Sequence, residues 1–222
     1  MQAVAGKKLV REHLQALHIG SEVTRWFRKE REPQVLKVTP ENVIAALHGA
    51  GINPVLMGTH GINVYRDEAR ATQDVDVLVT KREVRKAIRV LEEAFPYLEI
   101  MENSAVARFV DPVSQKGVLD VMKPSSQSMQ AVFRNTVAIH DTHRIPTLEM
   151  ALVAKFTALT APNRRRVKRI QDLADFGNVL QNNRTVLDVD KMERIAERAR
   201  PGDGAKIRHL VEDFDAGRPI DL

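Results

Sequence analysis

Residues Gly58 to Val79 read GTHGINVYRDEARATQDVDVLV, and the rest of the chain can be laid out around them. The stretch follows a short apolar run, Val55-Leu56-Met57, and opens on a small-residue turn, Gly58-Thr59. It closes on Asp74-Val75-Asp76, which leads into Val77-Leu78-Val79. Side chains alternate along a strand, so Asp74 and Asp76 are expected on one face and Val75 and Val77 on the other. Two carboxylates that close repel each other. A divalent cation between them removes the penalty, and oxygen ligands suit Mg²⁺ or Mn²⁺. The same spacing also occurs at strand ends whose carboxylates are simply solvated, so the pair alone does not decide. A third acid comes later: Val118-Leu119-Asp120-Val121-Met122 reads as a strand with Asp120 among apolar neighbours. Unless that face is exposed, such a carboxylate needs a partner or a metal.

A chain of 222 residues with 43% hydrophobic content can fill one large core or two small ones. No apolar run approaches the roughly eighteen residues of a membrane span, and MQAVAGKKLVREHLQ lacks the apolar centre of a secretory signal. The absence of cysteine excludes disulfides, thiolate metal sites and cysteine nucleophiles, and a cytoplasmic location is the expectation. A net charge of +5 and a pI near 9.6 point towards anionic partners.

At the N-terminus Val10, Leu14 and Leu17 form one helical stripe, and Val23, Trp26 and Phe27 a second. Gly20 is expected to break the run and Ser21 to cap the second piece. Arg25, Arg28, Lys29 and Arg31 are expected on a solvated basic face, and the Trp26–Phe27 surface could pack against a second copy. Thr39-Pro40-Glu41-Asn42 reads as a capped helix start, ended by Gly49-Ala50-Gly51. Pro54 to Met57 is a strand, and a short helix from His60 to Tyr65 sets Thr59 near a helix N-terminus. Lys81 to Phe95 is an amphipathic helix with Val84, Ala87, Ile88 and Leu91 inward. Ala105 to Val110 and Gly117 to Met122 are strands joined by a turn-rich segment, and Val137 to Ile145 is an edge hairpin. Pro146-Thr147-Leu148-Glu149 starts a helix carrying Lys155. The following RRRVKRIQDLADFGNVL is a helix on which Arg165, Lys168 and Arg169 are expected to pair with Asp172 and Asp175. Two further helices, about 190–199 and 205–214, complete the chain.

The pattern hhhGT-HGINVY…RATQDVDVLV…VLDVM resembles the nucleotidyltransferase-fold superfamily typified by DNA polymerase beta. It is most similar to the bacterial branch containing the nucleotidyltransferase toxins of abortive-infection toxin–antitoxin systems. The likeness runs from about residue 40 to 180. It implies an α/β (α+β) fold, a mixed sheet flanked by helices, divided as an N-terminal helical segment 1–35, a nucleotidyltransferase-like core 36–145 and a helical part 146–222. It also implies a metal-dependent transfer of NMP from an NTP to a hydroxyl on a protein, a tRNA or a small molecule. By the same resemblance Asp74, Asp76 and Asp120 bind the metal ions, and Gly58, Thr59, Arg70, Lys155 and Asp172 serve the nucleotide. Thr59 departs from the usual Gly or Ser, and fourteen residues separate it from Asp74, a slightly long spacer.

Arg164, Arg165, Lys168 and Arg169 offer a nucleic-acid contact, and an antitoxin partner is implied by the branch. Two other classes remain open: a catalytically inactive nucleotidyltransferase-like module that binds a nucleotide or nucleic acid, and a basic nucleic-acid-binding protein.

Overall fold

The computed structural model describes residues 2–29, 33–70 and 72–220; Arg31 and Ala71, singled out above, lie outside them. The chain forms two compact units, one of residues 1–64, 68–125 and 137–145, the other of residues 65–67, 126–136 and 146–222.

The first unit carries a mixed sheet flanked by helices. Its helices are α1 (Gln2–Phe27), α2 (Pro40–Gly49), α3 (Gly58–Ile62) and α4 (Val84–Ala94). Its strands are β1 (Val55–Leu56), β2 (Val75–Leu78), β3 (Glu99–Glu102), β4 (Val106–Val110), β5 (Gly117–Met122), β6 (Thr136–Ile139) and β7 (His143–Pro146). The strand order is β3-β4-β5-β2-β1-β7-β6, with β2 and β5 parallel and β4 antiparallel to β5. Val75 and Val77 of β2, Phe109 of β4, Val121 of β5 and Leu91 of α4 are fully buried together. Each such side chain contributes about 1.5–3 kcal/mol of burial energy.

Local chemistry sets the element ends. Thr39 caps α2, its hydroxyl accepting from Asn42 N at 3.2 Å, with Pro40 in the first helical position. Helix α4 begins at Val84, later than its periodicity suggested, because residues 81–83 form a turn in which Glu83 Oε2 accepts the Thr80 N–H at 3.1 Å. Strand β3 and helix α5 (Gln127–Arg134) had no clear sequence signal; β3 is an exposed edge strand, and α5 is a short amphipathic helix.

Helix α1 departs most from expectation. It is continuous through Gly20, because the His60 ring lies so close that a Cβ there would approach Nδ1 at 2.9 Å. Gly20 therefore permits close packing and does not break the helix, and Ser21 is a buried mid-helix residue, not a cap. The inward face carries His13, Leu17, Ser21, Thr24 and Arg28, while Leu14, Ile19, Trp26 and Phe27 are exposed. Arg28, expected in solvent, is completely buried.

The second unit is helical: α5, α6 (Leu148–Leu159), α7 (Arg166–Asn182), α8 (Val189–Ala199) and α9 (Asp203–Ala216). Helix α6 is apolar on nearly every side, with Met150, Leu152, Val153 and Phe156 buried, as suits a helix packed against both α7 and α8. On α7 the buried stripe is Asp172, Asp175, Phe176, Val179 and Leu180, so its acids face inward. The expected pairing of Lys168 and Arg169 with these acids is not formed. Lys168 bonds Gln171 at 3.2 Å, and Arg169 donates to the Ala161 and Pro162 carbonyls. No helix among the described residues is long and apolar enough to cross a membrane.

A polar seam joins α1 to the sheet. His13 Nε2 and His143 Nε2 lie 2.9 Å apart, both buried, and His143 Nδ1 lies 2.9 Å from Thr142 Oγ1. The Thr142 hydroxyl donates to Ile139 O, so His143 Nδ1–H donates to Thr142 and His13 Nε2–H donates to His143. Both rings are therefore neutral. Desolvation first, then the charge of His60, lowers His13 to about 4; desolvation, then the charge of His13, lowers His143 to about 3; burial lowers His60 to about 4. The unfolded chain binds these protons below about pH 6.5 and the folded chain does not, so stability is full above that pH and falls as pH drops towards 4. Urea unfolding at pH 7.5 and pH 5 is expected to show a loss on the order of a few kcal/mol at the lower pH. His143→Gln should flatten that slope.

Candidate functional site

The DVDV stretch reaches its position through contacts made before it starts. Thr24 on α1 donates to Thr72 O at 3.3 Å, and the Thr72 hydroxyl donates to Asp74 Oδ1. Arg28 donates through Nη2 to Gln73 O and, at 3.1 Å, to Val118 O; through Nη1 it reaches Val35 O at 3.1 Å and Val38 O at 2.6 Å. One buried guanidinium thus holds the residue before Asp74 and the strand that carries Asp120. No sequence pattern marks it, since its acceptors are backbone carbonyls spread from residue 35 to residue 118.

Strand register then aligns the acids. Val75 and Val77 are buried beneath the sheet face, with Asp74 and Asp76 half-buried as the alternation required. Asp76 on β2 stands opposite Asp120 on β5, and Asp120 stands opposite Arg108 on β4. Paired residues share a face, so Asp76, Asp120 and Arg108 form a row across three strands. Arg108 grips Asp120 in a two-pronged ion pair, Nε to Oδ1 at 2.8 Å and Nη2 to Oδ2 at 2.6 Å. Gly117 makes room for this side chain: a Cβ there would sit 3.0 Å from Arg108 Cδ. The Asp120 bond, then the fields of Asp120, Asp76 and Asp74, raise the Arg108 guanidinium above its ordinary range against the cost of burial. Sequence reasoning required a partner for Asp120; Arg108 is that partner, visible only once β4 and β5 are in register.

At the other end of the stretch, Gly58 begins α3 with φ +57°, and a Cβ on it would lie 2.0 Å from Asp76 Oδ2. Only glycine keeps that space over the carboxylate. Thr59 is buried in the first turn, its hydroxyl accepting from Arg70 Nη2 at 2.6 Å. Arg70 is held in turn by Asn63, whose side chain exchanges two bonds with its backbone.

Hard-cation chemistry fits Asp74 and Asp76: both offer oxygen only, both are half-buried, and Gly58 preserves space over Oδ2 of Asp76. Asp120 is committed on both oxygens to Arg108, and among the described residues no three His, Asp or Glu side chains form a ready metal cage.

Lys155 and Asp172 belong to the helical unit and are gathered there into one network. Lys155 donates to Asp172 at 3.2 Å and Asp175 at 2.7 Å; Arg164 closes on Asp172 and Arg66 on Asp175. Arg165 and Lys168 are exposed.

No protein-family model matches the chain, and no curated protein matches it. Among solved structures it is similar to an antigenic nucleotidyltransferase-like protein from Paracoccidioides brasiliensis, at 16% identity, covering 75% of this chain and 88% of that one, TM-score 0.43. It is also similar to the JHP933 protein of Helicobacter pylori, at 14% identity over 84% and 97% of the two chains, TM-score 0.35. A third is terminal uridylyl transferase 4 from Trypanosoma brucei with bound GTP, at 13% identity over 90% and 71%, TM-score 0.33. Likenesses this distant transfer no residue assignment.

Replacing Arg28 with Met removes the donor shared by four backbone carbonyls, three of them in buried hydrogen bonds, and is expected to cost about 3 kcal/mol or more in chemical denaturation, with Arg28→Lys recovering part of it. Gly58→Ala must displace the Asp76 carboxylate and adopt a left-handed φ; a loss of about 1 kcal/mol or more is expected, read as a lower Tm.

Proposed function

We propose that this chain is a metal-dependent nucleotidyltransferase that moves NMP from an NTP onto a hydroxyl acceptor, in the manner of the toxin branch its motif resembles. The observation that carries this is the placement of Gly58, at positive φ, directly over the Asp76 carboxylate, in a row with Asp120. A glycine turn against a two-carboxylate strand is what a site needs in order to bring an anionic polyphosphate up to acids without a side chain intervening.

In this reading Asp74 and Asp76 hold Mg²⁺ or Mn²⁺, which when bound offsets the charge of the triphosphate and activates the attacking oxygen. Thr72 steadies the Asp74 carboxylate and Arg28 holds the backbone just before it, so less ordering is left for the bound state. The Thr59 hydroxyl already accepts from Arg70, which leaves its own proton to donate to a phosphate oxygen. Arg70 adds a fixed positive charge beside it. Asp120, once Arg108 releases it, binds the metal or takes the acceptor hydroxyl's proton. Lys155 and Asp172 are assigned to the nucleotide by the resemblance alone. The exposed Arg165 and Lys168, with Arg164 and Arg169 behind them, suit an RNA acceptor, and an antitoxin partner and a cytoplasmic setting belong to the same proposal.

The grip of Arg108 on Asp120 favours a second reading, a nucleotide-binding module without turnover. Calorimetric titration of the four NTPs, with and without Mn²⁺, separates the outcomes. Metal-dependent binding of at least one NTP is expected in the wild type, reduced roughly a hundredfold or more in Asp74→Asn/Asp76→Asn. Binding unaffected by metal and by both substitutions would sink the metal site, and pyrophosphate release from the bound NTP then distinguishes enzyme from module.

A further inference from the structure

We infer that Arg108 is an internal counter-cation that occupies the third carboxylate, so that a divalent ion gains Asp120 only when Arg108 lets go. This rests on the metal-binding reading of Asp74 and Asp76, and adds to it a residue that no motif marks.

Three observations lead there. Arg108 satisfies both oxygens of Asp120 with bidentate geometry, the form in which a guanidinium best substitutes for an ion bound between two carboxylate oxygens. The pair is asymmetric: the Asp120 side chain is 12% exposed and that of Arg108 51%, so the acid is fixed in the sheet while the base can swing into solvent. Third, Asp120 is the register partner of Asp76, so freeing it adds a third carboxylate to the same sheet face. A further bare carboxylate on that face would add to its repulsion; Arg108 neutralises Asp120 when the metal does not. Gly117 fits this role, since a side chain there would crowd the path along which Arg108 lies.

The consequence is competition. Without substrate, a divalent ion meets Asp120 already neutralised by Arg108. A bound polyphosphate gives the released guanidinium somewhere to go, so nucleotide and metal favour each other at this site. Arg108 acts here as a positioning residue, through Asp120.

The test is Mn²⁺ binding to the full chain, followed by electron paramagnetic resonance without nucleotide, in the wild type, Arg108→Gln, Asp120→Asn and the double variant. Arg108→Gln is expected to bind Mn²⁺ roughly tenfold tighter than wild type, with a lower Tm in metal-free buffer that added Mn²⁺ restores. Asp120→Asn should cancel the gain in the double variant, because the gain comes from Asp120 becoming a ligand. Arg108→Lys, which keeps the charge and loses the fork, should fall between. Affinity unchanged in Arg108→Gln overturns the proposal while leaving the two-carboxylate metal site intact. A gain that survives Asp120→Asn also overturns it, since that marks only a general field effect. If no variant binds Mn²⁺, the proposal falls together with the metal-dependent function; if Mn²⁺ behaves as expected but no NTP binds, only the nucleotidyltransferase reading falls.

Discussion

The buried guanidinium of Arg28 is the constraint on which the placement of the acids on β2 and β5 depends. It lies at zero exposure and donates to carbonyls at Val35, Val38, Gln73 and Val118. Burying a cation is costly unless it is hydrogen-bonded, and a planar fork of donors can bridge several segments at once. Those four segments are the turn after α1, the approach to α2, the approach to β2 and the start of β5. Their joint attachment to one side chain fixes where Asp74 and Asp120 emerge. Thr24, one turn earlier, repeats the arrangement at Thr72, so α1 serves as a polar rail for an irregular piece of backbone.

This explains why α1 could not be read correctly from its sequence. Periodicity finds the apolar face and assigns it inward, which is sound for a helix packed on an apolar core. Here the neighbours include backbone carbonyls drawn from several segments, and the face that meets them is hydroxyl, imidazole and guanidinium. The result inverts the expectation: Arg28 and Thr24 are buried and Trp26 is 61% exposed. The partners lie as far away as Val118 in β5 and His143 in β7, and no local pattern announces contacts across that separation. Elements with self-contained signals were legible. Thr39 and Thr147 each cap a helix through their own side chains, and the alternation in β2 sorted its valines from its acids.

The same division runs through the acids. That Asp120 needed a counter-charge followed from its apolar neighbours, but which residue supplied it depended on how β4 and β5 pair, and that is fixed by a hairpin whose register is irregular between Phe109 and Val110. On α7, charge spacing suggested i to i+4 pairs within the helix. Such pairs are worth only about 0.2–0.5 kcal/mol, and the packing of Phe176, Val179 and Leu180 outweighs them. Once those residues turn inward, Asp172 and Asp175 on the same stripe must turn inward too. They then demand buried cations, and Lys155, Arg164 and Arg66 meet that demand.

Each unit thus settles its carboxylates with guanidinium or ammonium groups drawn from another element, but to different degrees. Asp172 and Asp175 are almost fully enclosed, with Lys155 shared between them; opening that network would leave buried charges unpaired, so it behaves as a fixed brace. The Asp120 pair has one deeply set member and one half in solvent, so exchanging the partner leaves no base stranded. Asp74 is different again, steadied by a neutral hydroxyl from Thr72. A neutral donor orients a carboxylate without cancelling its charge, and Gly58 keeps the approach to Asp76 clear of side chain. Along one sheet face the charge therefore passes from oriented but uncancelled at Asp74, to cancelled but exchangeable at Asp120. Under the proposed function, that gradient suits a site that must accept a cation and later give it up.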